Sequence, residues 1–220
     1  MKIVLRIGGS VLGSPPDSAI VEAYVAIIQK ILGHGHKIAV VVGGGSIARE
    51  YIETARTLSL PRRDQDTIAI LASRLNAKLV GIKLGAPSVP VSVRGMVSRL
   101  ARENVAVMGG LRPGITTDTV ATLVAEAWHS DFMIKASNQD GIYTADPRLH
   151  KRAKLLRTIS YAQLVEILGG EHSPGIHSIV DPVAVERIAE HKIKLVVING
   201  GNPENVLMAI SGEDVGTTVS

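Results

Sequence analysis

The stretch Ile38-Ala39-Val40-Val41-Val42-Gly43-Gly44-Gly45-Ser46 holds a strand, a glycine turn and a helix start within nine residues. Its apolar part is continuous rather than alternating and is rich in β-branched residues. Such a strand is buried on both faces, as in a parallel sheet covered by helices. The pattern recurs along the chain. Ile3–Ile7 runs into Gly8-Gly9-Ser10, and Val105–Met108 into Gly109-Gly110. Phe132–Ala136 runs into Ser137-Asn138-Gln139-Asp140-Gly141, and Lys194–Ile198 into Asn199-Gly200-Gly201.

Helical periodicity fills the intervals. It runs from Asp17 or Ser18 to Ile31, from Ser46 past Ile52, and from Asp66 to Ala77. It returns at Asp118–His129, Ala162–Leu168, Pro182–His191 and Glu204–Ile210. Short strands are expected at Leu79–Ile82 and Val89–Val91, and a last one closes the chain. A glycine- and histidine-containing loop is expected over Gly169–His177. Strands alternating with helices predict an α/β fold: a three-layer αβα sandwich around a mainly parallel sheet. The basic stretch within Asp146–Arg157 reads as a solvated face, and it is the best candidate for a boundary between two lobes.

Composition narrows the function. The 220 residues are 45% hydrophobic and 20% charged, enough apolar content for a core and too little charge for a disordered chain. There is no cysteine, which excludes disulfides, Cys-ligated zinc, iron–sulfur clusters and a thiol nucleophile. No apolar run reaches the length of a membrane span. The opening MKIVLRIGGS turns glycine-rich too soon for a secretion signal, so the chain reads as cytosolic. A net charge of +4 suits an anionic ligand. One Phe, one Trp and four Tyr offer few stacking surfaces, which opposes a nucleic-acid module.

Glycine loops at strand C-terminal ends let backbone N–H groups approach phosphate oxygens. Several in one chain suit an extended polyanion, or two phosphorylated ligands meeting head to head. No Gly-x-x-x-x-Gly-Lys-Ser/Thr and no Gly-x-Gly-x-x-Gly is present. Neither is His-Glu-x-x-His or Gly-x-Ser-x-Gly. His34 and His36 read as surface residues of a turn. Gly114-Ile115-Thr116-Thr117-Asp118 opens a helix and serves either as a plain N-cap or as a ligand-facing helix end. Asp118 would then orient cations around a transferring phosphoryl group.

Taken in order, these segments resemble the amino acid kinase family, and within it the UMP kinase branch of archaeal type. The resemblance spans the chain. It rests on Arg6-Ile-Gly-Gly-Ser10, Val42-Gly-Gly-Gly45 with Arg49, and Asp66 on a helix with Asn76. Gly114-Ile-Thr-Thr-Asp118 and Asp140-Gly-Ile-Tyr-Thr-Ala-Asp-Pro147 complete it. It implies transfer of the γ-phosphoryl of ATP to UMP, with Mg²⁺, in pyrimidine nucleotide synthesis. It implies one domain, with an acceptor lobe over about 1–130 and an ATP lobe over about 131–220. Gly9, Ser10, Gly45, Arg49, Ser137, Tyr143 and Asp146 would meet ATP. Gly44, Asp66 and the segment Leu111, Arg112, Pro113, Gly114, Ile115, Thr116 and Thr117 would hold UMP. Arg6 and Asp118 would be catalytic, and the assembly would be a homohexamer. The metal ligands stay unassigned. Arg6 stands where many family members carry Lys, and Ser137 where Thr is common. Other members of the family, acting on isopentenyl phosphate or acetylglutamate, are the nearest alternatives. The motif set also permits a non-catalytic nucleotide binder. Isopentenyl phosphate kinases usually place a His shortly after Gly-Gly-Gly-Ser, where this chain has Ile47-Ala48-Arg49.

Overall fold

The computed structural model describes residues 1–169 and 179–220. Most of the expected Gly169–His177 loop lies outside the described residues. Among those described, seven strands form one sheet in the order β3-β2-β1-β4-β6-β7-β5. They are β1 (Lys2–Ile7), β2 (Lys37–Val42), β3 (Val105–Met108), β4 (Phe132–Ser137), β5 (Thr158–Ile159), β6 (Leu195–Asn199) and β7 (Thr217–Val219). The pairs from β3 through β6 are all parallel, whereas β7 runs antiparallel to β6 and carries β5 at the edge. The sheet is mainly parallel, as the continuous apolar runs predict.

Helices cover both faces. They are α1 (Gly9–Leu12), α2 (Ser18–Gly33), α3 (Gly45–Thr57), α4 (Arg62–Lys83), α5 (Val93–Leu100), α6 (Thr117–Trp128), α7 (Tyr161–Leu168), α8 (Pro182–Glu190) and α9 (Asn205–Ser211). Alternate residues of each strand feed two cores. Val4, Ala39, Val41, Met133 and Val197 pack beneath α5, α6, α7 and α8. Ile3, Leu5, Val40, Ile134 and Ile198 pack beneath α2 and α9 and the inner face of α4. Each such Val, Leu, Ile or Met side chain contributes about 1.5–3 kcal/mol by leaving water, so burial on both faces holds the central strands. No described helix is long and apolar enough to cross a membrane.

Two expected strands are corrected. Leu79–Ile82 lies within the last turn and a half of α4 and is not a strand. That helix is apolar on two sides: Ala72, Ala77 and Val80 face the core, while Leu71, Leu75, Leu79 and Ile82 face outward. The doubled apolar pattern masks the helical period. The same helix starts at Arg62, four residues before the expected Asp66. Val89–Val91, with Pro90 at its centre, forms no ladder; it lies between Pro87 and the N-cap of α5, Ser92, whose hydroxyl accepts from Gly95 N. The short elements α1, α5 and β5 escape the periodicity altogether. The basic residues Arg148, Lys151, Arg152, Lys154 and Arg157 are exposed, as a solvated face requires.

The tightest approach in the fold is between two glycine turns. A Cβ on Gly9 would stand 2.0 Å from the backbone nitrogen of Gly45 and 2.7 Å from the carbonyl oxygen of Gly43. Gly45 itself has φ of +68°, in the left-handed region that suits glycine. The turns after β1 and β2 touch because neither carries a side chain. Gly9→Ala should therefore push them apart, costing about 1–3 kcal/mol as overpacking. Thermal melting checks this: an unchanged Tm would show that the turns yield freely.

Candidate functional site

The sheet order places β1 between β2 and β4, so the chain leaves β1 in one direction and returns to its other side later. Such a switch point opens a crevice at the strand C-terminal ends. Gly8 follows β1 there, and Asn138 follows β4. Between them lies a polar cavity of about 450 Å³, lined by Arg6, Ser10, Arg49, Asp118, Lys135 and Ser137, with Asn138, Gln139 and Arg148. A second cavity, about 460 Å³, shares Gln139 and Ile179 with it and is mainly apolar. Ile142, Leu156, Ile159 and Leu168 form its walls beside Tyr143 and Asp146. A third, about 170 Å³, lies on the other side, among Gly44, Asp66, Ser73, Gly110, Arg112 and Thr117. The polar cavity has the size of a small-ligand site.

The middle cavity is organised by one carboxylate. Asp118 sits in the first turn of α6, whose N-cap Thr116 accepts from Asp118 N and Thr119 N. Arg6 Nε stands 2.7 Å from Asp118 Oδ1, an ion pair whose N–H is not aligned for a hydrogen bond. Arg6 Nη2 donates to Thr117 Oγ1 at 2.9 Å. Lys135 Nζ contacts the other carboxylate oxygen. Burial alone would raise the pKa of Asp118. Arg6 and then Lys135 outweigh it and hold the carboxyl below its usual range. Burial, with Arg6 second, lowers Lys135 to about 8 against the pull of Asp118.

The residues singled out by sequence fall into this frame. Gly9, Ser10, Gly45 and Arg49 surround the junction of the two glycine turns, with Ser10 and Arg49 on the polar cavity. Ser137 Oγ accepts from Gln139 N and donates to its carbonyl oxygen, both at 3.1 Å. Tyr143 Oη donates to Asp140 Oδ2 at 3.1 Å, which fixes the ring against the apolar cavity. Asp146 accepts from Arg148 Nε and Nη2 at 3.1 and 2.8 Å, so its oxygens are turned to that guanidinium. On the other side, Asp66 Oδ2 accepts from Gly114 N at 2.8 Å and so holds the loop Leu111–Thr117. Thr116 is committed to the helix cap and donates to Asp181. Gly44, Arg112, Ile115, Thr116 and Thr117 line the third cavity, whereas Leu111, Pro113 and Gly114 are not among the residues lining it.

Several residues were missed. Lys135 is the lone charge in an apolar strand, and Arg6 is likewise the lone charge in the apolar run Ile3–Ile7. Ser73, Arg74 and Asn76 of α4 hold the glycine turns from behind. Ser73 Oγ accepts from Gly110 N at 2.7 Å, Arg74 donates to the carbonyls of Gly110 and Leu111, and Asn76 donates to that of Gly43. Asn76 belongs to the resemblance given above; nothing in the local sequence of Ser73 and Arg74 separates those two from an ordinary helix face.

Asp118→Asn would leave Arg6 and Lys135 buried without an anion, at a cost of about 3–5 kcal/mol. The native carboxyl has a depressed pKa, so its contribution is present above the unfolded value near 4 and is lost as pH falls below it. Tm measured from pH 7 to pH 3 should fall less steeply in Asp118→Asn than in the parent chain. Parallel curves would remove the ion cluster as a source of stability.

Comparison with known proteins adds to this geometry. Residues 1–199 match the description of the amino acid kinase family. The chain is 36% identical to the uridylate kinase of Hyperthermus butylicus, covering 99% of this chain and 97% of that protein. It is 40% identical to the uridylate kinase of Archaeoglobus fulgidus, whose crystal structure superposes with a TM-score of 0.92 over the full length of both chains. The UMP kinase of Bacillus anthracis, 23% identical, shares the fold with a TM-score of 0.84 over 100% of this chain and 95% of that one. A fold shared from end to end, with the family description matched over most of the length, assigns this chain to the amino acid kinase family.

Proposed function

We propose that this chain is a nucleoside monophosphate kinase that moves the γ-phosphoryl of ATP to the phosphate of UMP, giving UDP and ADP. The observation that carries this reading is the line of three cavities across the β1/β4 crevice, with cations at its centre. The apolar cavity beside Tyr143 takes adenosine. The polar cavity takes the triphosphate, met by Gly9, Ser10, Gly45, Arg49 and Ser137. The small cavity takes UMP, with Asp66 toward the ribose and the segment Leu111–Thr117 around the base and phosphate. The chain divides into an acceptor lobe over about 1–130 and an ATP lobe over about 131–220.

The reaction asks mainly for positioning and charge neutralisation. A UMP phosphate oxygen, already ionised near neutral pH, forms a bond to the γ-phosphorus. The bond from that phosphorus to the bridging oxygen breaks, and its electron pair leaves with ADP. No general base is needed. Arg6, tied to Thr117 on the acceptor side, neutralises charge on the phosphoryl group in flight, and Asp118 holds it in place. Mg²⁺ enters as part of the ATP substrate. The Asp118 oxygens face Arg6 and Lys135, so the ATP phosphates and water would supply the ion's coordination. Supply of UDP for pyrimidine nucleotides is a cytoplasmic role.

Helix α4 supports a homo-oligomer, which we propose to be a hexamer. Leu71, Leu75 and Ile82 are 58%, 65% and 58% exposed along one outer stripe. Contiguous exposed apolar surface of this kind marks a contact site. A two-fold axis would lay the stripe on its own copy.

ADP release from Mg-ATP should be strong with UMP and weak with CMP, dCMP, acetylglutamate and isopentenyl phosphate. Turnover with one of the others instead would reassign the acceptor cavity. Asp66→Asn should raise KM for UMP about tenfold or more, the scale of one charge-assisted hydrogen bond, with KM for ATP little changed. Equal effects on both nucleotides would take Asp66 out of the acceptor site. In solution the parent mass should lie near six times 23.3 kDa, and Leu75→Glu should lower it by light scattering. A 23.3 kDa particle for the parent chain would refute assembly through this helix.

A further inference from the structure

Strand β4 buries every residue from Phe132 to Ser137, and one of them is a lysine that is 3% exposed. An ammonium taken out of water is costly unless a counter-charge holds it. Lys135 pairs with Arg6 in the parallel register of β4 and β1, so both side chains rise on the same sheet face, toward the first turn of α6. There Asp118 receives both of them, Arg6 at Oδ1 and Lys135 at Oδ2. Within this triad two cations share one anion, which leaves one positive charge in excess; the carboxylate of Asp181 acts on Lys135 less strongly than that of Asp118. Holding Asp118 needs only one of them. The surplus charge borders the polar cavity between Gly8 and Ser137. Arg6 is anchored toward the acceptor side by Thr117. Lys135 belongs to the strand that continues into Ser137 and Asn138, on the donor side.

We propose that Lys135 is a second catalytic cation of phosphoryl transfer, meeting the γ-phosphoryl from the donor side while Arg6 meets it from the acceptor side. Asp118 sets the spacing of the pair. This rests on the kinase function proposed above. Lys135 moves no proton: the γ-phosphorus exchanges its bond to the bridging oxygen for one to the acceptor oxygen, and the ammonium screens the charge that spreads over the phosphoryl oxygens.

The charged and titratable groups facing Lys135 are Arg6 on β1, Asp118 on α6 and Asp181 at the N-cap of α8. Arg49 on α3 and Arg148 beyond β4 also border the same cavity. Arginine and aspartate side chains keep their ordinary charge between pH 7 and 9, so a change of charge in this cluster over that range belongs to Lys135. Its lowered pKa, about 8 in the absence of substrate, places an alkaline fall of kcat/KM there.

The test is steady-state ADP release with Mg-ATP and UMP for the parent chain, Lys135→Met and Lys135→Arg, from pH 6 to pH 10. Lys135→Met should lower kcat by roughly 10²–10³-fold, the scale of losing one transition-state donor, with both KM values changed by less than about threefold. Lys135→Arg should recover at least about tenfold of that loss and move the alkaline fall to higher pH, because a guanidinium stays charged. A Lys135→Met chain that turns over like the parent overturns the proposal. So does a loss confined to KM, or an alkaline fall unmoved in Lys135→Arg. If Lys135→Met does not melt cooperatively, the pH profile of Lys135→Arg decides alone. A parent chain active on another acceptor removes only the UMP reading, and the variants are then compared on that acceptor. A parent chain inactive on every acceptor overturns both.

Discussion

A buried carboxylate shared by two cations is the constraint around which the site is built. Asp118 is the shared partner of Arg6 and Lys135, from two neighbouring strands, and it sits in the first turn of a helix whose dipole also favours an anion. Each group would be costly to bury alone. Together they place a fixed excess of positive charge at the mouth of a parallel sheet, where dielectric screening is weaker than in water. A phosphoryl group crossing between two nucleotides needs such a field, already oriented before the substrates arrive.

The rest of the fold serves to bring these three groups together. Parallel register sets Arg6 level with Lys135. Contact between bare glycine turns lets the loops after β1 and β2 close over the same point. Asp181, at the N-cap of α8, accepts from Thr116 and Thr119 and so fixes the start of α6 from the far side of the crevice. Helix α4 acts from behind. Its inner face bonds Gly43, Gly110 and Leu111 through Asn76, Ser73 and Arg74, while its outer face carries the leucine stripe. One helix thus carries both the bonds that hold the glycine loops after β2 and β3 and the outer stripe proposed for subunit contact.

Much of this was legible in the residues. Continuous β-branched runs ending in glycine announce buried parallel strands with ligand-facing loops, and the chain folds that way because such runs have no polar face to offer water. Asp118 stood out because it follows a glycine turn and threonines at a helix start. The errors have equally physical causes. Leu79–Ile82 reads as a strand because α4 is apolar on two sides, and Val89–Val91 because propensity is blind to whether a neighbouring strand exists. Thr116 reads as a ligand residue; it lines the third cavity, and its hydroxyl also serves the helix cap and Asp181.

What the sequence alone determined is the layered α/β architecture, the glycine loops at strand ends and the family resemblance, since all of these rest on local pattern. What only the tertiary structure decided is which distant residues share a site. Lys135 meets Asp118 because two strands far apart in the chain lie side by side in register, and Ser73, Arg74 and Asn76 reach the loops because α4 packs behind them. Charge pairing and loop support act across space, and the distance along the chain carries no record of them.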